Sequence, residues 1–99
     1  MLLATFEVLG KHFRIESTTH AYQRMNERNI NKNNVISVIK GLNAKILLYN
    51  NSGEEIAVID QQSDIAIISE VRFNKIVIIT VINRSNIHIK EGTRMEEIA

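Results

Sequence analysis

Three runs rich in β-branched and other aliphatic residues, Glu55–Asp60, Ile65–Phe73 and Ile76–Ile82, follow one another with only four and two residues between them. Connections that short join antiparallel neighbours, so this half of the chain reads as a β-meander. Ala44–Tyr49, set off by Asn50-Asn51-Ser52-Gly53, reads as a further strand of the series. The runs are apolar in both phases of the strand period. Val77, Ile79 and Val81 share one face, Ile76, Ile78 and Ile82 the other, and Thr80 is the one polar break. Ile56 and Val58 against Ala57 and Ile59, then Ile65 and Ile67 against Ala66 and Ile68, repeat the pattern. A sheet packed on one side and wet on the other alternates apolar with polar. The second face therefore needs a cover, expected from the C-terminal tail, a second copy of the chain, or both.

The first 42 residues are built differently. Ala4–Leu9 and His12–Glu16 are short β-like runs joined by Gly10-Lys11, a tight hairpin. Ser17-Thr18-Thr19 supplies candidate N-caps for a helix over His20–Asn29. Asn31 is a second N-cap, with Ile30 and Val35 at the two staple positions. Val35, Ile36, Val38, Ile39 and Leu42 give the following helix an apolar face, and Gly41 is its stop. The fold class expected is α+β, two short helices packed on an antiparallel sheet with an N-terminal β-hairpin. Residues 1–82 form one domain. Residues 83–99 form a more polar tail that packs on the sheet, where Thr93 with Glu96 would cap a final turn presenting Met95 and Ile98.

Composition removes several classes of function. The 99 residues hold no cysteine, which excludes disulfides, a thiol nucleophile and a thiolate zinc site. Lys+Arg 12 against Asp+Glu 11 gives +1, so the overall field favours neither nucleic acid nor an acidic partner. No apolar run approaches the length of a membrane span, and no leader pattern opens the chain; a soluble cytoplasmic protein without membrane contact is expected. No phosphate-binding glycine loop or nucleophile elbow is present. His12, His20 and His88 lack ligand spacing and a completing acid, so neither a metal nor a cofactor is expected. Asp60 and Asp64 flank a turn, and turn chemistry accounts for both. The 17 isoleucines and 11 asparagines also suit an AT-rich coding sequence, as in a low-GC bacterium or its phage.

One stretch carries chemistry. In His20-Ala21-Tyr22-Gln23-Arg24-Met25-Asn26-Glu27-Arg28-Asn29-Ile30, helical spacing puts His20, Arg24 and Arg28 on one basic stripe, with Ala21 and Met25 on the adjoining apolar one. An imidazole beside guanidiniums suits metal-independent RNA cleavage. The imidazole moves a proton at the 2′-hydroxyl or the leaving oxygen, and arginine stabilises charge building on the phosphate. A helix surface with one histidine and two arginines is, equally, an ordinary solvated face with Glu27 as ion-pair partner.

The pattern His-Ala-x-x-Arg-Met-x-x-Arg-x-Ile, carried here by His20, Ala21, Arg24, Met25, Arg28 and Ile30, resembles a bacterial and phage family of small domains. That family is similar to the RelE/BrnT-type ribonuclease toxins of the barnase–EndoU–colicin–RelE fold group. The resemblance covers residues 18–82 in element order. It implies two helices against a curved antiparallel sheet, metal-independent RNA cleavage, and a small antitoxin protein as partner, with RNA a partner only if the domain is catalytic. Catalytic groups in such folds also come from late strands; Arg72, Lys75, Thr80, Arg84 and His88 are candidates by type. The alternative is a non-catalytic phage or mobile-element protein of the same fold, kept as a protein-binding module.

Overall fold

A computed structural model describes residues 1–49 and 55–84 in full, and the backbone of 94–98. Two strands open it, β1 (Leu2–Val8) and β2 (Lys11–Ser17), then two helices, α1 (Thr19–Glu27) and α2 (Lys32–Lys40). A 3-10 segment, Asn43–Leu48, precedes β3 (Glu55–Asp60), β4 (Ile65–Arg72), β5 (Lys75–Ile82) and β6 (Arg94–Ile98). All six strands join one sheet in the order β1-β2-β5-β4-β3-β6. The hairpin β1–β2 and the meander β3–β4–β5 are antiparallel, as their short turns require. The joins β2–β5 and β3–β6 are parallel. The α+β class and the hairpin are as the sequence reads, while the two parallel pairings make the sheet mixed.

The hairpin turn takes residues with φ of 48° at Leu9 and 82° at Gly10, the left-handed pair that matches the twist of the flanking strands. Thr18 caps α1, its hydroxyl accepting from the Ala21 N–H at 3.0 Å. The helix ends two residues before Asn29, which takes φ 53°. There the N–H groups of Asn29 and Ile30 donate back to the carbonyls of Asn26 and Met25, closing the last turn in a Schellman motif with asparagine as its left-handed residue. Asn31 caps α2 through Asn33 N–H at 2.8 Å. Gly41 stays right-handed, and the left-handed break falls at Asn43 with φ 50°.

Two expectations are corrected here. Ala44–Tyr49 is not a strand. Ile46 and Tyr49 are its buried residues, in helical spacing with the buried Leu42 just before it, while Leu48 stands exposed, so one side of a 3-10 turn closes on the core. In β5 the register slips between Ile68 and Ser69, where Ile68 pairs with Thr80 but Ser69 pairs with Ile78. Ile79 is thus the extra residue of a bulge, and the strand changes phase there. Ile76, Ile78 and Val81 all face the helices, and Val77, Thr80 and Ile82 face away. The phases drawn from simple alternation hold only up to Ile78.

The main core lies between sheet and helices: Phe13, Ile15, Ile56, Val58, Ile67, Ile76, Ile78 and Val81 from strands meet Ala21, Met25, Val35 and Ile39. Ser17 and Ser69, both paired with Ile78, lie buried in the same row, and their hydroxyls bond no protein group. On the outer face Ala57, Ile59 and Ala66 form a second, small buried cluster flanked by half-buried Ile68 and Ile82. Arg94–Ile98 extends the sheet in its plane as β6, where a capped final turn was expected. Ile87 and Ile89, and the turn at 50–53, lie outside the described residues.

Candidate functional site on helix α1

Helix α1 lies along β5 and is stitched to it at both ends. Beyond the end of β2 the Thr18 N–H donates to the Ile78 carbonyl at 3.0 Å. At the other end Arg28 Nη1 donates to the Val81 carbonyl at 2.8 Å. The reason is topological. β2 stops at Ser17, paired with Ile78, so among the described residues the flank of β5 beyond Ile78 has no strand beside it. A backbone carbonyl left at a sheet edge needs a donor, and the guanidinium supplies one. Ala21 and Met25 are fully buried beneath this helix, as the apolar stripe predicts.

The basic stripe is therefore divided. His20 is exposed and Arg24 half-buried, and Arg24 Nε approaches His20 Nε2 at 3.4 Å. In this contact Nε2 is the acceptor. Arg24 Nη1 also stands 3.7 Å from Glu27 Oε2, one turn on. Arg28 turns away to the sheet. His20 and Arg24 are brought together, and Arg28 is not part of that pair. The structure adds a partner that sequence spacing does not reveal, the Val81 carbonyl, which lies beyond the bulge at Ile79 and has no marker in the sequence.

The late-strand candidates are spread out. Arg72 pairs with Glu70 at 2.7 Å and Lys75 reaches Glu16 at 3.9 Å, both where β5 begins. Thr80 is half-buried on the outer face, and Arg84 is exposed just beyond β5. His88 lies outside the described residues. His12 is an exposed strand residue, 3.3 Å from Glu7. Asp60 is buried and accepts from the N–H and hydroxyl of Ser63, a side-chain turn that accounts for its position. Among the described residues no helix is long and apolar enough to cross a membrane. Comparison with protein-family models, with curated proteins and with solved structures finds no match to this chain.

Proposed function

We propose that the chain is a small RNA-cleaving domain of the ribonuclease-toxin type, belonging to a bacterial toxin–antitoxin system or a phage and acting without a metal in the bacterial cytoplasm. The observation that supports this reading is the His20–Arg24 pair on the open side of a helix whose other side is buried. In the reaction proposed, His20 Nε2 accepts the proton of a 2′-hydroxyl as that oxygen attacks phosphorus. The bond to the 5′-oxygen breaks, the leaving oxygen takes a proton from water, and a 2′,3′-cyclic phosphate remains. Arg24, swung from Nε2 toward the phosphate, stabilises its charge. Arg28 is a positioning residue, holding the helix on β5.

Induced expression in a bacterial host, followed by RNA cleavage with purified protein in chelator, tests the reading. Growth arrest and cleavage are expected, both lost in His20→Ala and Arg24→Ala and kept in His12→Ala. Absence of both in the wild-type chain overturns it. A second reading, a non-catalytic protein-binding module, draws on the same geometry: Arg24 is shared with Glu27 and Arg28 is engaged by the sheet. In that case the stripe is structural, and co-purification with a small antitoxin-like protein without RNA cleavage is the expected result.

A further inference from the structure

The two edges of the sheet are unlike. β6 carries Arg94, Glu96 and Glu97 within five residues, the charges that commonly keep an edge from pairing. β1 reads Leu-Leu-Ala-Thr-Phe-Glu-Val, with Glu7 its single charge and neither lysine nor proline. Met1, Leu2 and Leu9, at its two ends, are three of the five large apolar residues most exposed in the described chain. Among the described residues no strand pairs with the far side of β1.

We propose that this edge pairs with the same edge of a second copy, antiparallel about a two-fold axis through Phe6. Val8 and Lys11 close the two-residue turn, and a pair so placed exchanges both of its hydrogen bonds. Alternation then turns the backbone groups of Phe6 and Ala4 toward β2, and those of Glu7 and Thr5 outward. A register slip between Leu2 and Ala4 limits the regular stretch to Ala4–Val8. An axis through Glu7 would set two carboxylates face to face. An axis through Thr5 would drive Glu7 onto the irregular Leu3. An axis through Phe6 pairs Thr5 with Glu7 of the other copy and Ala4 with Val8, and leaves no like charges opposed. The half-buried Phe6 rings then meet on the axis, each already 6.0 Å from Phe13 of its own chain. The occupant is a second copy because this short stretch complements itself in size, charge and hydrogen-bonding phase. The pairing does not involve His20 or Arg24.

Sedimentation across a concentration series, with amide hydrogen exchange on the same samples, tests this. Dimerisation is expected, with the Thr5 and Glu7 amides gaining protection as concentration rises while those of Ala4, Phe6 and Val8 are protected throughout. Thr5→Glu, facing Glu7 of the other copy, should weaken the dimer about twofold to tenfold, and Thr5→Lys should tighten it by a similar factor. Circular dichroism confirms that both variants fold. A monomer at every concentration overturns the proposal, as does a dimer indifferent to both substitutions. Equal weakening by both overturns the register, since only an axis through Thr5 opposes like charges in each.

Discussion

The two faces of the sheet use the same strands to different ends. Toward the helices, Ile56, Val58, Ile67, Ile76, Ile78 and Val81 are fully buried and packed against α1 and α2. On the outer face the same strands present the smaller Ala57 and Ala66, with Ile59, and then a charged half. In that half Glu16 lies between Arg14 at 3.1 Å and Lys75 at 3.9 Å, and Arg72 meets Glu70. One face is held by volume, the other by modest apolar contact and solvated ion pairs. Sequence alternation alone does not separate them, because both faces of β3 and β4 carry isoleucine; the alanines Ala57 and Ala66 fall on the outer one.

The largest effect expected is on the helix side. Ile67→Ala or Met25→Ala should each cost about 2–5 kcal/mol in urea unfolding, whereas Ile82→Ala on the outer face, half-buried, should cost under about 2 kcal/mol. Equal costs would break the contrast between faces. Next comes the stitch between helix and sheet. Arg28→Ala should lose about 1–2 kcal/mol, the value of a charged donor on a part-buried carbonyl. Arg24→Ala, losing only a surface pair, should lose no more than about 0.5 kcal/mol. If the two arginines cost the same, the stripe is undivided. The smallest effect belongs to the outer charges: Lys75→Ala should change stability by about 0–1 kcal/mol, and that difference should shrink with added salt.

What was legible in the sequence is what local chemistry decides. Thr18 and Asn31 cap as their side chains and neighbours demand, Ala21 and Met25 are buried where helical spacing places them, and short turns impose the meander. What was not legible depends on distant partners. Ile79 looks like any other isoleucine, and only the pairing of Ile68 with Thr80 shows it to be a bulge. Leu47-Leu48-Tyr49 has strand composition, yet the core already holds Leu42 at the spacing that makes Ile46 and Tyr49 helical neighbours. For the candidate site, spacing put His20 beside Arg24 correctly but aligned Arg28 with them; its partner lies in a strand fifty-three residues further on.

The parallel join of β2 to β5 has a consequence for how the chain is made. Position 14 waits for position 75, so for several seconds of synthesis, at about 5–20 residues per second, the hairpin waits without its inner neighbour. During that interval β2 is an open template for other nascent chains. Its own residues guard it: Lys11, Arg14 and Glu16 interleave with the apolar Phe13 and Ile15, so a stray strand laid along it meets charge at nearly every second step. Arg14 and Glu16 already pair with each other within β2, and Lys75 joins Glu16 only once β5 arrives.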